Sequence, residues 1–327
     1  MATVAPLDMP GHSPSPRDSP PRPAIWNKSS NRNRILPRGD RDSCREAPIQ
    51  SSERTIETSD GLRLFLRCWR PAGPERASVA IVHGYAEHSG RYERFACRFA
   101  PLGLALFACD LRGHGRSPGR RGHIHRFKDY LRDVEALVDC ARRNAPATPL
   151  FLLGHSLGGL IAARYTEDFT PGLAGLILSS PFLQLRMPVP LWKRAAASVL
   201  TVLAPAMPMP SDIDLRLLTH DTAIVEETAH DPLSHQWATP RWFTETLGEQ
   251  PIAIDQAPAI RPPVALLLAG DDRIADIGAS EELAARTTAP VFARTYPGMF
   301  HELFNERDRE IVFQDVEAWI EGRLAKC

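Results

Sequence analysis

Five short apolar runs at residues 78–82, 105–108, 150–153, 176–178 and 264–268 constrain this chain more than any other feature. Each is too short for a helix and too uniformly apolar for a strand with one wet face. Runs of this kind are strands buried on both faces, which occur in parallel sheets covered by helices. Helical patterns separate them: residues 127–142 carry Leu131, Val134, Leu137 and Val138 on one face, and residues 315–324 offer Val316 and Ile320 for burial. Strands alternating with helices predict βαβ units, and so an α/β fold around a mostly parallel central sheet. Upstream, Asp60-Gly61 marks a hairpin turn between residues 55–58 and 62–69.

The alternation stops between Pro181 and Pro263, a Pro-rich segment with helical patches and no convincing buried strand. This predicts a mainly helical cap (182–263) inserted between two parts of one core (53–181 and 264–327). Residues 1–52 are rich in Pro, Ser, Arg and Asp and too polar to offset ordering entropy, so a disordered tail is expected there. The 39 basic and 39 acidic residues cancel, which gives no electrostatic reason to expect a nucleic-acid partner. Six scattered cysteines without CxxC spacing predict reduced, structural thiols. With neither a membrane-length apolar run nor a secretory h-region, a soluble, cytoplasmic protein is expected, peripheral to membranes at most.

Chemistry enters at Gly154-His155-Ser156-Leu157-Gly158-Gly159, which follows one apolar run and precedes the helix-like residues 160–165. A G-x-S-x-G pattern in a strand-turn-helix context is a nucleophile elbow, with small neighbours required by the close approach of two segments. A serine hydroxyl needs a base and the base an orienting acid, in the chain order Ser, acid, His for this architecture. Asp271-Asp272 follows the run at 264–268, and His301 lies in the loop after residues 291–296. Either aspartate fits by position. Leu157 supplies one backbone N–H for an oxyanion, and Tyr85, in the loop after residues 78–82, the natural second. His83 is expected to be structural. Asp110 to Ser117 lacks the third glycine of a dinucleotide site and forms a turn, while His123 and His125 lack further ligands. No cofactor and no metal are expected.

His83-Gly84-Tyr85-Ala86-Glu87-His88-Ser89-Gly90-Arg91-Tyr92, then Asp110 to Ser117, then Gly154 to Gly159 together resemble the monoacylglycerol lipase and lysophospholipase group of α/β-hydrolases, related to the serine aminopeptidases. The resemblance runs from about Thr55 to the C-terminus and weakens through the cap. It implies an α/β-hydrolase fold with a mobile cap and a single-chain lipid ester as substrate, cleaved through an acyl-enzyme. Carried over, Ser156 is the nucleophile, His301 the base, Asp272 the acid, preferred to Asp271 only by the group's usual Asp-Arg sequence pair, and the Tyr85 and Leu157 N–H groups the oxyanion hole. Tyr85 stands where the group often has a small residue. Alternatives on the same residues are an acyltransferase, an aminopeptidase using a cap carboxylate among Glu226, Glu227 and Asp231, and a non-catalytic binding protein. Residues 187–209 either form an acyl-chain entrance that touches membrane or lipid aggregates transiently, or pack onto the sheet as core.

Overall fold

The computed structural model describes residues 49–169, 172–187, 189–211 and 213–326. The described residues begin with a hairpin, β1 (Ile49–Glu57) against β2 (Arg63–Pro71), followed by β3 (Ala77–Val82), α1 (Glu93–Phe99) and β4 (Leu104–Cys109). Next come α2 (Lys128–Asn144), β5 (Leu150–His155), α3 (Leu157–Phe169) and β6 (Gly175–Ser179). Three helices then lie outside the main sheet: α4 (Leu191–Leu203), α5 (Thr222–Ala229) and α6 (Pro240–Gln256), with a two-residue ribbon of β7 (Met209–Pro210) and β8 (Trp237–Ala238) between them. The chain returns to the sheet with β9 (Val264–Ala269), α7 (Ile277–Arg286), β10 (Val291–Tyr296) and α8 (Arg309–Leu324).

Eight strands form one sheet in the order β1-β2-β4-β3-β5-β6-β9-β10, antiparallel across the first three and parallel from β4 onward. The period of two explains how a uniformly apolar run serves two layers. On β3, Ala80 and Val82 face a layer made by α2, α3, α6 and α7, while Val79 and Ile81 face α1 and α8. The second layer is aromatic: Phe95 stacks on Phe99 at 4.3 Å and both meet Phe313 edge-on. This is the mostly parallel, helix-flanked α/β sheet expected from the apolar runs.

Two details depart from expectation. β1 begins at Ile49, inside the span assigned to the tail, because its backbone pairs with β2 from Ile49–Pro71 onward; the rest of that span lies outside the described residues. Cys68, Cys109 and Cys140 are free and buried, but Cys97 is disulfide-bonded, against the expectation of reduced thiols. Lone cysteines at irregular spacing leave no local mark of such a pairing. Among the described residues no helix is long and apolar enough to cross a membrane.

The parallel strands β3, β5, β9 and β10 all end on one edge of the sheet, so the loops after them converge. α3 is drawn tightly onto that edge by glycine. A Cβ added at Gly158 would lie 2.1 Å from the Val82 carbonyl oxygen and 2.5 Å from that of His83, both rigid backbone atoms. Gly158→Ala is therefore expected to cost about 1–3 kcal/mol and to lower Tm by roughly 2–4 °C per kcal/mol. A thermal melt unchanged to within about 1 °C would contradict this packing.

Candidate active site

Ser156 sits between β5 and α3 with φ of 53°, in the left-handed region that a residue with a side chain seldom occupies. Its surroundings hold it there. The Ser156 N–H donates to the Ser179 carbonyl at 3.0 Å, and its own carbonyl accepts from Gly159, Leu160 and Phe182. The turn aims the side chain at the strand ends and sets Leu157 in the first turn of α3, where N–H groups have no intrahelical acceptor and the helix dipole is positive.

His301 meets that side chain. Its Nε2 lies 2.7 Å from Ser156 Oγ, and its Nδ1 lies 2.7 Å from Asp272 Oδ2. Asp272 Oδ1 accepts the N–H groups of Ile274 and Ala275 at 2.8 and 2.9 Å, which fixes the carboxylate. Burial pushes the Asp272 carboxyl up, but His301 and these two N–H groups more than offset it and hold the group below its ordinary range. An ionised Asp272 takes the Nδ1–H and leaves Nε2 to accept the serine proton. The neighbouring Asp271 turns away to Arg273, with two contacts of 2.9 Å at the surface. The structure thus brings Ser156, His301 and Asp272 together, all less than a tenth exposed, and leaves Asp271 outside.

The loop after β3 lies directly alongside. A Cβ at Gly84 would be 3.1 Å from Glu87 Oε1 and 3.3 Å from the Ser156 Cβ, so a side chain here would press on both neighbours. His83 is fully buried, its Nδ1–H donating to Gly84 O at 2.8 Å and its Nε2 accepting from Leu111 N at 2.9 Å, a structural role. Burial pulls its pKa down, consistent with a neutral ring using both nitrogens. The Tyr85 hydroxyl reaches the cap, donating to Trp237 O at 2.6 Å while its ring packs on Trp242 at 4.3 Å. Asp110 ties down the following turns by accepting the N–H groups of Ser89 and Arg116 at 2.8 and 2.7 Å. The rings of His123 and His125 meet edge to face with centroids 5.2 Å apart, and His123 is hydrogen-bonded to Thr239.

A cavity of about 690 Å³ opens beside α4 and α6, lined by Leu183, Leu185, Val189, Leu247 and Ile254 with Arg186 and Arg194 near its rim. None of these residues carries the chemistry. The cavity's lining includes Leu183, the residue after Phe182, whose N–H donates to the Ser156 carbonyl. Of the three carboxylates in the segment between β6 and β9 considered for holding an ammonium, Asp231 pairs with His88 at 2.6 Å and Glu227 with Arg94 at 2.8 Å, while Glu226 is exposed. One buried group was not assigned from the sequence, although its residues stood in plain view within the motif after β3. Glu87 and Arg91 form an ion pair beneath the site, joined by Glu302, the residue after His301.

A family model described as serine aminopeptidase, S33 (Hydrolase_4) matches residues 73–308. The chain belongs to that family. Among its relatives, a monoacylglycerol lipase of Mycolicibacterium smegmatis is 33% identical over 275 residues, covering 84% of this chain and 98% of that one. The phospholipase YtpA of Bacillus subtilis is 33% identical over 257 residues, covering 77% and 97%. The crystal structure of a Paleococcus ferrophilus monoacylglycerol lipase superposes with a TM-score of 0.71 at 27% identity, over 84% of this chain and 99% of that one. The fold is that of an α/β-hydrolase, and within the S33 family the chain stands among carboxylic ester hydrolases.

Proposed function

We propose that this protein hydrolyses the ester bond of single-chain lipids, monoacylglycerols or lysophospholipids, through an acyl-enzyme on Ser156. The observation that carries the reading is the relay of two 2.7 Å contacts, Asp272 to His301 to Ser156, ending on a serine in left-handed backbone. As Oγ adds to the acyl carbonyl, its proton passes to His301 Nε2, and the developing oxyanion accepts from the Leu157 and Tyr85 N–H groups. Collapse breaks the ester C–O bond, with the proton moving from His301 to the leaving alcohol. Water repeats the sequence on the acyl-serine and releases the fatty acid. Asp272 stays ionised throughout and keeps His301 in the tautomer that accepts. The names of the lipase and phospholipase relatives support a lipid substrate. An aminopeptidase would need a carboxylate free to hold an ammonium, and the ion pairs of Asp231 and Glu227 weigh against that. An acyltransferase would use the same steps with an alcohol in place of water.

Ser156→Ala is expected to lower kcat by about a thousandfold or more and to abolish labelling by a fluorophosphonate, with the fold retained. Asp272→Asn should be the damaging change of the aspartate pair and Asp271→Asn mild. The opposite ranking in ester hydrolysis would overturn the assignment of the acid.

The proposed acyl-chain entrance is residues 187–209, and its contact is a lipid surface. In α4 only Ala197 is buried, while Leu191, Trp192 and Leu203 are 81%, 69% and 76% exposed beside Lys193 and Arg194. An apolar face left in water next to basic residues suits a helix lying in a lipid interface better than a core helix. Trp192→Ser and Leu203→Ser should each weaken binding to anionic vesicles by about tenfold, the value of one apolar side chain. Long-chain monoacylglycerol hydrolysis should fall with it, while Tm and turnover of short soluble esters hold. Equal losses on short and long substrates, together with a lowered Tm, would instead mean core packing.

A further inference from the structure

Beneath the proposed catalytic residues one guanidinium joins three separate segments of chain. Arg91, in the turn before α1, donates from Nη2 to Glu302 Oε2 at 2.5 Å and from Nη1 to the Thr228 hydroxyl on α5, while its Nε lies 3.0 Å from Glu87 Oε2 as a close charge contact without hydrogen-bond alignment. The two carboxylates are the inner neighbours of the chemistry. Glu302 follows His301 directly in the chain, and its Oε2 also accepts from Asn305 Nδ2 at 2.8 Å. Glu87 Oε1 accepts the Gly84 N–H and the Tyr92 hydroxyl, so it holds the His83–Gly84 peptide, one unit before the peptide that carries the Tyr85 N–H.

All three charged side chains are about nine-tenths buried. The void among Glu87, Arg91, His155 and Glu302 is only about 10 Å³, room for one water at most. Protein groups, not solvent, must therefore balance these charges. Burial pushes the Glu87 carboxyl up, and Arg91 with the neighbouring histidines brings it below its ordinary range, so it is held as a carboxylate. A single buried ion pair suffices to hold one segment. A guanidinium shared by two carboxylates fixes the distance between two segments, because neither carboxylate moves without leaving the other's partner under-compensated.

We infer that Arg91, through Glu87 and Glu302, is a positioning residue that sets the His301 loop and the Gly84-Tyr85 backbone at a fixed distance from each other across Ser156. The inference rests on the proposed roles of Ser156, His301 and Tyr85. Its content is geometric: base and oxyanion donor arrive on loops from opposite ends of the chain, and the Arg91 fork is the tie that keeps both in register with one carbonyl. Arg91 touches no substrate and exchanges no proton.

The test uses a short soluble p-nitrophenyl ester, which makes no demand on the cap, with active sites counted by fluorophosphonate titration. Arg91→Ala should lower kcat per titrated site by about 10- to 100-fold, the scale of a small misplacement of reacting groups, with KM within about twofold of wild type. Added guanidinium in the tens of millimolar should restore kcat several-fold in this variant and do nothing for the wild type, and Arg91→Lys should recover only part because it lacks the fork. Glu302→Gln, which keeps the side chain's shape, should lower kcat severalfold and provides the reading if Arg91→Ala does not fold. Wild-type kcat per titrated site in the folded variants would overturn the inference, as would a loss in Arg91→Ala that guanidinium leaves unchanged. These outcomes are separate from the proposed chemistry: if Ser156→Ala remains active the triad reading fails, whereas an inactive Ser156→Ala beside a fully active Glu302→Gln and Arg91→Lys sinks only the positioning role.

Discussion

The left-handed backbone at Ser156 is the constraint around which the rest is arranged. A serine relaxed into ordinary helical or extended geometry would lie flat along the strand end, and a strained one persists only where its neighbours over-determine it. Here the neighbours are backbone groups: the carbonyl of Ser179 on the adjacent strand, and the N–H of Phe182 in the segment that leaves it. The glycines at 154 and 158 then let α3 close onto β3 and β5 with main chain against main chain. Strain at one residue is thus carried by the whole sheet, the least compliant part of the molecule.

Charge is handled differently on the two sides of the serine. Asp272 is stabilised by two fixed N–H dipoles and one imidazole, an arrangement that keeps a carboxylate ionised without a neighbouring guanidinium to compete for it. Glu87 and Glu302 instead share a guanidinium. His155 stands between these regions, its ring 5.1 Å from that of His301, with burial and His301 both pulling its pKa down. A neutral His155 adds no positive charge next to the base.

How much of this was legible in the sequence follows the range of the interactions. The buried strands were visible because period and apolarity are local properties, and the turn at Ser156 because its glycines sit within four residues of one another. His301 could be located only by order along the chain. Asp271 and Asp272 could not be told apart by residue type, since the difference lies in which one the β9 turn directs inward and which pairs with Arg273. Glu87, Arg91 and Glu302 were less legible still. Their meaning comes from a meeting across more than two hundred positions, and a lone charged residue in a motif is ordinarily a solvated one. The tie of Tyr85 to Trp237 escapes the sequence for the same reason.

The strap at residues 218–220 has a consequence for the His301 loop. Leu218 O accepts the Glu302 N–H, the Thr219 hydroxyl donates to Asn305 O, and His220 pairs with Glu306, which also accepts from Phe300 N. This side of the helical segment is sewn to both flanks of His301. The position of the His301 loop is therefore tied to the position of this segment. His301 itself is 3% exposed, so its loop is held by protein contacts on both sides rather than by solvent.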